Sequence, residues 1–233
     1  MNLCSAAVLL CTVVAVMVLL SAGGPQAGAA ETAGPGAPAA PPRGPLDPRG
    51  RIHIPIGIAN TLDALKTFVE AEGCFSPGFA TYGIYFWLYD PQQNKLTAPT
   101  QDGVATKHGL APGGALIPWS EWQTGDITVR TEVCEVRCPS PEGDVFVVGS
   151  RIILTNRSDS PRRILVFASL RPLGPAGGPV RELAVSDEGD ALLADGHAAI
   201  VACDKPAAAG VLATDTVGEP AMQGKVPTEK KAA

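Results

Sequence analysis

Glu121 stands between two tryptophans in the stretch Pro118-Trp119-Ser120-Glu121-Trp122. Indoles can stack on a sugar ring, and a carboxyl group is what glycoside hydrolysis works with. That chemistry needs a second carboxyl about 5–9.5 Å away across the scissile bond. No spacing in the sequence sets Asp63, Asp90 or Asp126 opposite Glu121, so Glu121 is expected to be a solvated surface acid. Trp119 and Trp122 share one side only on a turn; on a strand, three apart, they face opposite ways. They are expected as packing anchors, with sugar stacking as the alternative.

The second feature is "GIYFWLYD", Gly83 to Asp90, in a chain with only 5% aromatic residues. Read as a strand, it puts Ile84, Phe86 and Leu88 on one apolar face and Tyr85, Trp87 and Tyr89 on the other. Three large aromatics carry roughly 150–250 Å² each, more surface than soluble monomers leave bare without a use. A second sheet of the same sandwich is the expected cover. A face between domains and a glycan platform are the alternatives, and Tyr85, Trp87, Tyr89, Trp119 and Trp122 are the candidate carbohydrate or domain-interface residues.

Other reactive side chains are scattered. Cys74, Cys134, Cys138 and Cys203 follow the N-terminal apolar run, and their even number in an exported chain is compatible with three disulfide pairings. Cys134 and Cys138 are four apart on an apparent strand, about 13 Å if extended, beyond the roughly 7 Å limit for a disulfide. They pair only if the chain bends at "RCPSPEG". His53, His108 and His197 lie in separate loops or strand ends, with no Cys-x-x-Cys pair near them, so neither a metal nor a cofactor is expected. Asn156-Arg157-Ser158 fits a glycosylation sequon but reads better as turn chemistry.

Positioning these residues falls to strands. Short apolar runs recur between Gly, Pro, Asn and Asp clusters: 81–89, 127–136, 145–154, 164–170, 180–185, 191–193 and 198–202. This spacing predicts an all-β antiparallel sandwich. Asp195-Gly196 between two such runs is a hairpin signal. "NTLDALKTFVEAEG", residues 60–73, carries Leu62, Leu65, Phe68 and Val69 at helical spacing, yet its surroundings favour a strand beginning after Lys66.

Around this core the composition changes. Residues 5–22 form an apolar run followed by Ala27-Gly28-Ala29, an A-x-A cleavage pattern. Residues 1–30 are therefore expected to be a signal peptide, or an uncleaved anchor of bilayer-spanning length; membrane contact is expected only in the second case. Residues 31–50 read as a Pro/Ala/Gly-rich disordered linker, 51–205 as the sandwich, and 206–233 as a disordered tail. The net charge of −5 among 233 residues, with no basic stripe, argues against a nucleic-acid partner.

The order of "GIANTLDALKTFVEAEGCFSPGFATYGIYFWLYD", "LIPWSEWQTGDITVRTEV", "ILTNRSDSPRRILVFASLRPLGPAGGPVRELAV" and "ALLADGHAAIVA" resembles the N-terminal β-supersandwich of bacterial six-hairpin glycosidase-like, debranching-enzyme-like proteins. The resemblance spans about residues 51–203 and lies in loops and strands rather than catalytic motifs. It implies a sandwich that precedes an (α/α)6 barrel bearing the catalytic carboxylates. Only 28 residues follow Lys205, whereas twelve helices of about 12 residues need upward of roughly 140. The expectation is therefore a non-catalytic module of an exported carbohydrate-active protein, with a barrel domain or a polysaccharide as partner. The alternative is a free-standing exported sandwich that binds a glycan or an envelope partner.

Overall fold

Valine, isoleucine, threonine and aromatic residues fill the apolar runs, and such side chains fit a pleated, half-buried surface. The computed structural model describes residues 13–18, 44–47, 53–57, 66–78, 81–141, 143–172, 180–214 and 217–232. The strands are β1 (Val13–Val18), β2 (His53–Ile56), β3 (Thr67–Glu70), β4 (Phe75–Ser76), β5 (Gly83–Asp90), β6 (Lys95–Thr97), β7 (Thr106–Leu110) and β8 (Pro118–Thr124). They continue as β9 (Ile127–Ser140), β10 (Gly143–Asn156), β11 (Leu165–Arg171), β12 (Leu183–Val185), β13 (Ala191–Ala194), β14 (His197–Ala202) and β15 (Lys231–Ala232). A single short helix, α1 (Gly218–Met222), appears among the described residues.

One sheet has the order β15-β12-β13-β14-β1-β10-β9-β8-β7, the other β11-β5-β4-β3-β2 with β6 beside β5. The paired strands run antiparallel. The hairpin of β9 and β10 stays in unbroken register from Ile127↔Asn156 to Ser140↔Gly143. Alternation decides what that hairpin buries: Ile127, Val129, Thr131 and Val133 turn inward, and Arg130 and Glu132 outward. Between the sheets, Ile84, Phe86 and Leu88 of β5 join Val129, Val133, Val148 and Ile152 in one buried cluster. The all-β sandwich that the strand spacing predicts is the fold.

Two local expectations hold. Asp195 and Gly196 have φ of 50° and 80°, the doubly positive pair of a two-residue hairpin turn. Thr67–Glu70 is extended, as expected after Lys66, and residues 58–65 lie outside the described residues.

Two expectations need correction. The C-terminal residues, read as a disordered tail, carry α1 and β15, and β15 extends the large sheet beside β12. Their Ala- and Gly-rich composition buries little by itself and is ordered by the surfaces it lands on. Within the 31–50 linker, residues 44–47 form a turn in which Asp47 N–H donates to Gly44 O at 3.1 Å, and Leu46 is buried. Of residues 1–30 only Val13–Val18 is described, as the strand between β10 and β14. Among the described residues no helix is long and apolar enough to cross a membrane.

Candidate functional site

The aromatic row is built as its alternation requires, but its cover is not the second sheet. Tyr85, Trp87 and Tyr89 lie on the outer face of β5, away from the inter-sheet core. They are buried there by Leu46, Cys74, Leu96, Ala98 and Ala221. The chain's own N-terminal turn and C-terminal helix close over them, leaving Trp87 at 0% exposure. Arg171 of β11 places its guanidinium 5.4 Å from the Tyr85 ring centre and 6.0 Å from that of Trp87. The same group donates from Nη2 to Asp47 Oδ1 at 2.8 Å and from Nη1 to Leu46 O at 3.1 Å. Tyr89 donates its hydroxyl to Asn94 Oδ1 at 2.5 Å. Gly224, at φ +68°, lies against the Tyr89 ring where a Cβ would collide. Burial pushes the Tyr85 phenol well above its ordinary pKa and that of Tyr82 up to about 12. This row is not an open sugar platform.

Trp119 and Trp122 part company on β8. Trp122, 2% exposed, joins the inter-sheet core, whereas Trp119 lies on the outer face opposite Glu132. There Arg130 sits 4.2 Å from the Trp119 ring centre. On β7, a Cβ at Gly109 would come within 2.8 Å of the same indole, so the ring rests on a bare glycine. Glu132 accepts from Arg130 Nε at 2.9 Å and from Arg151 Nη2 at 2.5 Å. Burial by itself would raise the Glu132 pKa, but the hydrogen bonds from Arg151 and Arg130 bring it below the ordinary carboxylate value.

The candidate acids do not converge. Glu121 lies on β8, in register with Lys107 of β7 and Arg130 of β9. Asp90 is paired with Arg162 at the end of β5, Asp126 is exposed in the β8–β9 turn, and Asp63 lies outside the described residues. His108 and His197 are exposed, and His53 heads β2. No group of three or more His, Cys, Asp or Glu with metal-binding geometry occurs among the described residues. Asn156 Oδ1 accepts from Ser158 N at 3.1 Å and its Nδ2 donates to Ser160 O at 2.7 Å, which is the turn chemistry expected of it. Cys74, Cys134, Cys138 and Cys203 are free thiols, and β9 runs straight through both Cys134 and Cys138. The burial of Cys74 is assembled by the fold, whereas Glu70 and Glu72 stand close to it in sequence. Burial, then the nearby Glu70 and Glu72, push its thiol pKa well up.

A cleft of about 770 Å³ runs along β11, within the range of roughly 300–1,000 Å³ typical of ligand pockets. Among the described residues β11 is the last strand of its sheet, and the cleft runs along it. Ile164, Val166, Ile152, Leu154, Leu192 and Ile200 make its apolar floor. Residues 204–210 and 224–228 form the facing wall. Trp87 and Ser169 also line it, and each holds a buried polar atom, Nε1 and Oγ, without a hydrogen-bond partner. Sequence reading could not find this site, because its walls come from six separate stretches of chain.

Compared with protein-family models, curated proteins and solved structures, the chain matches none. Fold and site together define an all-β sandwich with an apolar cleft at one sheet edge.

Proposed function

We propose that this chain is a non-catalytic β-sandwich module of an exported carbohydrate-active protein, one that supports or docks a glycosidase barrel. The observation that carries the docking role is where the polar and apolar groups lie. None of Glu121, Asp90 and Asp126 lines the β11 cleft, which is mainly apolar and follows the edge strand of its sheet. The link to carbohydrate rests on the sequence resemblance to supersandwich domains.

Purified full-length chain should release no reducing sugar from α- or β-glucans above background. Turnover that disappears in Glu121→Gln would overturn the non-catalytic reading. A helical domain encoded downstream of Ala233, in frame or frameshifted, would support the support-module reading. A free-standing exported sandwich that binds a partner is the second reading. It is favoured by the C-terminal segment's hold on the aromatic row, which closes a face that a barrel could have taken.

Export is part of the proposal, and residues 1–45 fused to a reporter active only outside the cytoplasm should give signal. A cleaved leader cannot also serve as β1. Mature protein starting near Ala30 or Glu31 would leave the place between β10 and β14 unfilled, whereas an intact N-terminus would keep the strand.

A further inference from the structure

We infer that the cleft along β11 is a strand-acceptor groove for an extended, alternately apolar segment of a partner polypeptide; this rests on the docking role proposed above and names the chemistry of what docks. β11 pairs with β5 from Leu165↔Tyr89 to Arg171↔Gly83 and, among the described residues, has no strand on its other side. In an antiparallel strand, alternate residues turn their N–H and C=O to opposite edges. About half of β11 therefore presents backbone donors and acceptors to the cleft. The wall there is the consecutive run Ile164–Ser169, so the groove follows the strand rather than crossing it.

The choice of occupant follows from what each would leave unsatisfied. An acyl chain would match the floor of Ile152, Leu154, Ile164 and Leu192 but would dry the β11 edge. Each stranded N–H or C=O would then lose its water partner and gain none in exchange. Water would satisfy the edge and leave the floor wet. A peptide strand does both: its backbone completes the ladder, and alternate side chains fill the apolar floor. The lining charges, Asp190, Asp204, Lys205 and Lys225, have both signs, so neither a strongly acidic nor a strongly basic segment is selected. Seven residues of β11 span about 23 Å at strand spacing, which sets the length of a suitable probe.

The test uses the full chain and a fluorescein-labelled, acetylated heptapeptide of alternating Val and Thr. Saturable one-to-one binding is expected by anisotropy, with slowed hydrogen exchange at alternate amides between Leu165 and Leu170. Two further probes carry N-methyl groups on one or the other alternate set of amides. Methylation of the edge-facing set should weaken binding at least about tenfold, as loss of several backbone hydrogen bonds requires. Ala168→Trp, at an exposed position on the cleft wall, should abolish binding with the far-ultraviolet spectrum unchanged. If that variant misfolds, the methylated probes still decide. No binding by the parent probe, equal binding by both methylated probes, or displacement by dodecanoate without protection of β11 would each overturn the inference. Glycan turnover would sink the non-catalytic role while leaving these binding results intact, so the two failures are distinguishable.

Discussion

Arg171 Nη2 lies 2.8 Å from Asp47 Oδ1, joining the end of β11 to a turn 124 positions earlier. The guanidinium is 8% exposed and the carboxylate 25%, so the pair is only partly screened by water. Together they pin Leu46 over Tyr85 and Trp87, with Arg171 also lying near both rings. The contact holds a piece of the apparent linker onto the sandwich.

Asp47→Ala should therefore destabilise the fold by about 1–3 kcal/mol, because it takes a partner from a mostly buried cation. Arg171→Met should cost a similar amount through lost packing and hydrogen bonds. The double variant should fall well short of the sum, as residues sharing one interaction do. Urea midpoints at unchanged denaturant slope measure this. Strict additivity would show that the two residues act independently.

Trp87→Ala should cost about 3–5 kcal/mol, the usual penalty for truncating a buried large aromatic. A chain ending at Lys205 should behave differently. Ordering the C-terminal segment opposes much of what its burial contributes, so stability is the poorer readout. Exposed surface is the better one: without Val217 and Ala221 the row opens, and anilinonaphthalene sulfonate binding and self-association should rise. A shortened chain that stays monomeric and binds no dye would show that the segment does not cover the row.

Much of this architecture is legible in alternation. The β5, β9 and β10 runs show which face is apolar, and Asp195-Gly196 marks the β13–β14 turn by residue type alone. The cover of the aromatic row is not legible in the same way. Alternation says that Tyr85, Trp87 and Tyr89 share a face, but not what meets it. The segment that meets it is Ala-, Gly- and Pro-rich with no period of its own, so its order comes wholly from distant contacts. The split of Trp119 and Trp122 follows only from Pro118–Thr124 being a strand, which the apolar pattern there leaves open. Neither the cleft nor the Asp47–Arg171 contact has a local signature.

The cysteines offer a test that needs no variant. Cys138 and Cys203 are exposed, and Cys74 is buried with its thiol held protonated by burial and by Glu70 and Glu72. The thiolate is the reactive form, so iodoacetamide at pH 8 should label Cys138 and Cys203 quickly. Cys74 should resist until the protein is unfolded, as read by peptide mass analysis. The folded pKa of Cys74 lies above its ordinary 9.0. Its contribution to stability is therefore complete below pH 9 and is lost as the pH rises further. Labelling of Cys74 at the rate of Cys203 would mean that the row is open.

Glu132 gives the acid side of the pH profile. Its hydrogen bonds from Arg151 and Arg130 outweigh burial and hold its folded pKa below the ordinary 4.5. The unfolded chain therefore binds the proton first as the pH falls. The stabilisation is complete above pH 4.5 and is lost as the pH drops through the folded value. Arg151 is more than half exposed, so the contribution should be at most about 1 kcal/mol. Glu132→Gln should lower the urea midpoint at pH 7 by a small amount and leave it nearly unchanged at pH 3. The difference between the two proteins should close across that interval, and should shrink further in high salt. A gap that is the same at pH 7 and pH 3 would assign the loss to packing against Trp119 and Arg130 rather than to the charge on Glu132.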